Sequence, residues 1–159
     1  MSSVTIHVAG ELDIPELIPL MRAYCDDSDE PHVAKPSTEQ LTILCHDVLN
    51  DTKHNGIYLL ARNENNQAVG FAALFWSWTF IPQPGRQAIL SDLYVNPNAR
   101  GLGIAGALIE ACKEQARQYH SIHSIIWQTA SDNYSAQKVY ERLGVLPKKC
   151  VDYELVLLK

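Results

Sequence analysis

In the segment Arg100-Gly101-Leu102-Gly103-Ile104-Ala105-Gly106, three glycines and an arginine sit at the junction between an apolar run and a helical pattern. The chemistry open to such a junction is anion binding. The preceding residues, 88–95, are rich in β-favouring side chains, and Asn96-Pro97-Asn98 supplies the turn chemistry that ends a strand. Beyond the glycines, Leu102, Ala105, Leu108, Ile109, Cys112 and Ala116 recur at helical spacing. Glycines therefore fall where a helix opens, and there the unpaired backbone N–H groups and the positive end of the helix dipole favour a negative charge. Gly101 and Gly103 let the chain turn tightly and approach an anion without side-chain obstruction, and Arg100 adds its own charge.

Two ligand classes use a junction of this kind. The string Gly101-x-Gly103-x-x-Gly106 matches the dinucleotide-binding fingerprint, which also requires an acidic residue roughly 20 positions on, after the next strand. Here that place holds Ile122-His123-Ser124-Ile125-Ile126-Trp127-Gln128, without a carboxylate, and about 50 residues follow the motif, too few to complete a doubly wound sheet. The other pattern is Arg100-x-x-Gly103-x-Ala105, which resembles the Arg/Gln-x-x-Gly-x-Gly/Ala signature of the GNAT family of N-acetyltransferases. Trp127-Gln128-Thr129 at a strand end, Leu90-Ser91-Asp92-Leu93-Tyr94-Val95, and Asn133-x-x-Ala136-x-x-x-Tyr140-x-x-x-Gly144 extend the resemblance over residues 88–146. The Asp-Leu-Tyr-Val and Trp-x-Thr blocks are most similar to the branch that includes fungal histone and polyamine acetyltransferases. One departure is Val145, where the family usually has Phe or Tyr after the glycine.

The resemblance implies acetyl-coenzyme A as cofactor, with its pyrophosphate on Arg100, Gly101, Leu102, Gly103, Ile104 and Ala105. Backbone groups of Leu93, Tyr94 and Val95 would pair with the pantetheine arm and polarise the acetyl carbonyl. Asn133 would bond the same arm, Ala136 would leave room for it, and Tyr140 would stand near the sulfur as general acid. A phenol with a pKa near 10 is protonated at neutral pH and can donate to a developing thiolate; the alternative is a Tyr140 packed in the core. Asp92 is the candidate base, against a purely structural carboxylate or an external base acting through water. In a regular strand Ser91 and Asp92 point to opposite faces, and only a bulge would change that.

On the acceptor side, Tyr24, Asp26, Asp27, Asp29 and Glu30 lie in the stretch where the family shapes its acceptor pocket, and four carboxylates would attract a cationic amine. Trp76, Trp78 and Phe80 alternate along one strand face, where aromatic rings can hold an ammonium or serve equally as core or dimer surface. The expected function is transfer of an acetyl group to the primary amine of a small molecule, such as a polyamine or amino acid, by direct transfer in a ternary complex. A protein or peptide acceptor, or a non-catalytic acyl-coenzyme A module, is the alternative.

The elements needed to position these residues can be read from the pattern. Strands are expected at residues 5–9, 56–63, 68–80, 89–95, 124–129 and 151–157, and helices after Asp13 and Ser37 and over 102–119 and 133–143. This is an α/β GNAT fold with a mixed, mostly antiparallel sheet of about six to seven strands flanked by four helices. The 159 residues suggest a single N-acetyltransferase domain over 1–159. A net charge of −5 argues against generic nucleic-acid binding. The apolar run 68–81 is too short to cross a bilayer, and the N-terminus lacks signal-peptide character, so no membrane partner and a cytoplasmic location are expected. Cys25, Cys45, Cys112 and Cys150 form no Cys-x-x-Cys pair and the six histidines no ligand spacing, so no metal is expected. A homodimer is possible.

Overall fold

The computed structural model describes residues 3–27, 35–119 and 121–157. They fall into two compact units, Met1–Gln128 and Thr129–Lys159. The first holds β1 (Thr5–Val8), α1 (Ile14–Asp26), α2 (Thr38–Asn50), β2 (Gly56–Arg62), β3 (Ala68–Thr79), β4 (Gly85–Val95), α3 (Ile104–Arg117) and β5 (Ile122–Ile126); the second holds α4 (Tyr134–Arg142). The strands form one sheet in the order β1-β2-β3-β4-β5, antiparallel except for the parallel pair β4 and β5.

Sequence signals explain the boundaries. The Ser37 hydroxyl accepts from the Gln40 N–H at 3.1 Å while the Gln40 side chain accepts from the Ser37 N–H at 2.8 Å, a reciprocal cap that starts α2. The β2–β3 turn is tied by Asn63, whose side-chain oxygen accepts from the Asn65 and Gln67 amides. Asp13 stands at the cap position of α1, with Glu16 three residues on, but its side chain makes no cap bond to that helix. Its carboxylate instead accepts from the Gly10 N–H at 2.9 Å and from Arg62 at 3.1 Å. Arg62 also grips both carboxylate oxygens of Glu16, at 2.7 and 2.8 Å, locking β2 to the start of α1.

The sheet has two covered faces. On one, Leu17, Leu20 and Met21 of α1 and Leu41, Cys45 and Val48 of α2 pack against Tyr58, Leu60, Phe71, Ala73 and Tyr94. On the other, α3 contributes the buried Leu108, Cys112 and Ala116, and it packs along β2, β3, β4 and β5.

The strand count differs from expectation: the sheet has five strands rather than six to seven, and residues 151–157 form no strand. Val151, Tyr153, Leu155 and Leu157 alternate as a strand would, yet all are exposed. Period-two alternation permits a strand but does not create one, because every ladder bond must come from a neighbouring strand that the pattern does not specify. β5 ends at Ile126, so Trp127, Gln128 and Thr129 follow the strand instead of closing it. No described helix is long and apolar enough to cross a membrane.

Candidate active site

The glycine junction folds as its composition requires. Gly101 has φ +79°, and Gly103 has φ +79° and ψ 8°, the left-handed conformation that costs an L-residue roughly 1–2 kcal/mol. A Cβ built on either would meet nothing within 4 Å, so the glycines are needed for backbone turning and not to fit against the protein. Gly103 caps α3 without any side-chain cap bond. The amides of the first turn, which a helix cannot satisfy internally, thus start a helix of 14 residues with no side-chain cap, next to glycines that have open space where a Cβ would stand. That is the geometry of an anion cradle, and a pyrophosphate fits it by charge and by room.

Arg100 is anchored at this corner. Its Nε donates to the Val95 carbonyl at 2.9 Å, Nη2 reaches the Asp27 carboxylate at 3.2 Å, and the guanidinium lies 5.8 Å from the centre of the Tyr94 ring. It therefore braces the end of β4 against the end of α1. In this stretch Leu102 is exposed and Ile104 is buried.

β4 supplies the second component. Its parallel pairing with β5 runs through Ala88↔Ile125 and Ile89↔Ile126 and extends no further, while β3 continues alongside it to Val95. From residue 90 onward β4 has a backbone edge that no strand of the sheet covers, and Leu93, Tyr94 and Val95 lie on it. A linear amide-bearing ligand can add to such an edge as a strand would.

The same stretch contains the bulge on which the orientation of Asp92 depended. Ala73 pairs with Asp92, but Leu74 pairs with Leu90, so Ser91 is the extra residue. A single inserted residue reverses the alternation: Leu90 shares the face of Leu74, toward α3, whereas Asp92 shares the face of Ala73, toward α1 and α2. Asp92 is half-buried there. Burial raises its pKa above the ordinary carboxylate value, and a hydrogen bond from Ser91 opposes the rise only in part. A carboxylate shifted in this direction is a better proton acceptor than an exposed one.

In the second unit, Asn133 caps α4, its side-chain oxygen accepting from the Ala136 N–H at 3.2 Å. Asn133, Ala136 and Tyr140 follow one another along a single stripe of this turn and helix. Burial raises the pKa of the Tyr140 phenol, against a hydrogen bond with Thr129 that lowers it. The phenol therefore stays protonated at neutral pH. Gly144, at φ +75°, ends α4: its N–H bonds the Glu141 carbonyl at 2.9 Å and the Val145 N–H bonds the Tyr140 carbonyl at 3.1 Å. That pattern accounts for the glycine, and it uses only the main chain of Val145.

The expected acceptor residues are not brought together. Tyr24 packs its ring against Phe71 and Tyr94, on the face that Asp92 occupies. Asp26 is paired with Lys35 at 3.1 Å and Asp27 with Arg100, so both described carboxylates of this segment already have cationic partners. Asp29 lies outside the described residues. Trp76 and Trp78 share the opposite face of β3 from Ala73, and so from Asp92. Trp76, only 8% exposed, meets the Tyr119 ring at a tilt and donates to the Thr52 carbonyl, whereas Trp78 is 77% exposed with the Arg86 guanidinium over its ring. Sequence reading missed Tyr58, whose hydroxyl is buried on the face of Asp92; the only available signal was the strand alternation of residues 56–62.

The model of the acetyltransferase (GNAT) family matches residues 18–145, most of the chain and both units. Over 91 residues the chain is 34% identical to the uncharacterized N-acetyltransferase YhfO of Bacillus subtilis (strain 168), a match that covers 57% of this chain and 59% of that protein. Among solved structures, a probable acetyltransferase superposes with a TM-score of 0.80 at 26% identity, covering 98% of this chain and 99% of the other. The aminoglycoside N-acetyltransferase AAC(6')-Iy in complex with CoA gives a TM-score of 0.81 over 99% of this chain and 97% of that one; at 18% identity it speaks for the fold alone. With the glycine cradle, the uncovered β4 edge and a family match over residues 18–145, the chain belongs to the GNAT family of acetyltransferases.

Proposed function

We propose that this protein is an acetyl-coenzyme A dependent N-acetyltransferase that moves an acetyl group to the primary amine of a small molecule by direct transfer in a ternary complex. The observation that carries the reading is the open cradle made by two left-handed glycines and the uncapped start of α3, beside the uncovered edge of β4. When bound, acetyl-coenzyme A supplies a thioester whose acyl carbon is open to attack by an amine. The cradle amides, with Arg100, hold the pyrophosphate, while the edge at Leu93, Tyr94 and Val95 takes the pantetheine arm and donates toward the carbonyl oxygen. Asp92 accepts the proton that the amine must lose, and Tyr140 returns one to the departing sulfur as the new C–N bond replaces C–S. Asn133 keeps its N–H₂ group for the pantetheine amides, since its oxygen caps α4, and Ala136 offers a small side chain on the same stripe.

Asp92 supports a direct mechanism, because a half-buried carboxylate can take the ammonium proton without a covalent enzyme intermediate. The acceptor class, a polyamine, amino acid or similar amine, rests on the acidic composition of 26–30. That support is weakened by the ion pairs of Asp26 and Asp27, and the named relatives lend none to the histone and polyamine branch. An assay of free thiol released from acetyl-coenzyme A against polyamines, amino acids, aminoglycosides and lysine peptides tests the proposal. Turnover with a small amine supports it. Turnover confined to peptides would move the acceptor to proteins, and binding without turnover on any amine would make the chain an acyl-coenzyme A binding module.

A further inference from the structure

A buried polar group with no role in the scheme above lies on the face of Asp92. Tyr58 is 1% exposed, and its hydroxyl makes no conventional hydrogen bond. The Cys45 thiol is near enough to interact with it, but a thiol is a weak partner, and burial pushes that thiol up to about 11. Leaving a phenol hydroxyl unsatisfied in the core costs on the order of 1–3 kcal/mol, and phenylalanine would fill the place without that cost. The sheet register shows what the hydroxyl is near. Tyr58 pairs with Ala73, and Ala73 pairs with Asp92, so the three form one row across β2, β3 and β4 on a single face. Ala73, itself buried, puts only a methyl group between the two longer side chains. Burial first, then Cys45 and the charge of Asp92, raises the pKa of the phenol and keeps the hydroxyl a donor.

We propose that Tyr58 is a positioning residue for Asp92: from the same row of the sheet, across Ala73, its hydroxyl donates to the carboxylate through one water and fixes it for proton acceptance. The proposal rests on Asp92 being the base. The donor favours the charged carboxylate and so offsets part of the burial that disfavours it. Among the described residues, the other titratable and charged groups on this face are Tyr94 of β4, Tyr24 of α1, Cys45 of α2 with Glu11 acting on it, His7 of β1, which pairs with Leu60 and bonds Asp13, and Arg62 of β2, which is bound to Asp13 and Glu16. Arg100 and Asp27 form an ion pair beside Tyr94.

The test uses Tyr58→Phe, Asp92→Asn and the double variant in the full chain. Carboxyl titration by carbon-13 NMR, with Asp92→Asn identifying the resonance, reads the pairing without turnover. In Tyr58→Phe the Asp92 midpoint is expected to rise by roughly half a unit to one unit. The acid limb of kcat/KM should move by the same amount, with KM for the acetyl donor unchanged. In the unsubstituted protein, the Tyr58 ring resonance should titrate with the Asp92 midpoint, which needs no variant to fold. An Asp92 midpoint that stays put in Tyr58→Phe, or a Tyr58 ring blind to that titration, overturns the proposal. Asp92→Asn retaining full turnover and its acid limb overturns the base assignment instead, and the NMR titration still decides the pairing.

Discussion

Replacing Gly103 by alanine and by asparagine separates a binding cradle from an ordinary turn. The residue sits at φ +79° and ψ 8°, and a Cβ there touches nothing within 4 Å, so no clash adds to the conformational cost. For alanine that cost is roughly 1–2 kcal/mol. In a chain of this size each kcal/mol lowers Tm by about 2–4 °C, so Gly103→Ala should melt roughly 2–8 °C lower. Asparagine tolerates the left-handed region and should lose less. In the cradle the order reverses, because asparagine puts the larger side chain into the space ahead of the α3 amides. Coenzyme A affinity, measured by calorimetry well below both melting points, should fall at least about tenfold, or 1.4 kcal/mol, for each variant, and further for Gly103→Asn. Stability should therefore rank glycine, asparagine, alanine, and affinity should rank glycine, alanine, asparagine. If affinity instead follows stability, or neither variant weakens coenzyme A, the open space before α3 is not where the pyrophosphate sits.

Other perturbations address the chemistry and the scaffold. Tyr140→Phe should lower kcat about 10²-fold or more with little change in coenzyme A affinity, and a variant of full activity removes the acid role. Asp92→Asn should abolish the acid limb of the pH profile and also raise stability at high pH. The folded state holds this proton more tightly than the unfolded chain, so ionisation costs stability above the ordinary value of 3.8. The variant should melt above the parent at pH 8 and with it at pH 3; equal melting at both would contradict burial of the charge. Arg62→Met removes a guanidinium only 12% exposed that binds Asp13 and Glu16, and should cost about 1–3 kcal/mol, read by urea unfolding. Burial works to raise the Asp13 pKa but is outweighed by the Gly10 amide, His7 and Arg62, and the Arg62 hydrogen bond leads in lowering Glu16. Their contribution is present above their ordinary values of 3.8 and 4.5 and is lost as pH falls through the depressed ones, so the variant should lose less stability than the parent on acidification.

Much of this architecture was legible because it is local. The cap at Ser37 and Gln40, the Asn63 turn, the helical period after Gly103 and the glycines themselves are decided within a few residues, and each folds as its pattern indicates. What could not be read depends on distant partners. Asp13 carries a helix-cap signature, but Arg62, 49 positions away, claims its carboxylate. Asp26 and Asp27 read as substrate attractors until Lys35 and Arg100 appear beside them. Residues 151–157 have a strand's alternation and no strand, since hydrogen-bonding neighbours are not written in a segment's own period.

The orientation of Asp92 shows most sharply what a sequence leaves open. Its alternation with Leu90 and Tyr94 implies one shared face, and in an unbroken strand Asp92 would join Leu90 beneath α3, away from Tyr24 and Tyr58. Ser91 as a bulge reverses that parity at one point, sending Leu90 to one side and Asp92 with Tyr94 to the other. The carboxylate then meets the face covered by α1 and α2, while the backbone just beyond it stays on the edge that β5 has left. With Ser91 in the strand, Asp92 reaches that face only because Ser91 bulges out of the ladder. Deleting Ser91 makes Leu90 and Asp92 consecutive, so Asp92 should stay paired with Ala73 and Leu90 with Leu74 on their present faces, and turnover should survive better than in Asp92→Asn; a loss as complete as in Asp92→Asn would refute the idea that the face of Asp92 is what the bulge secures.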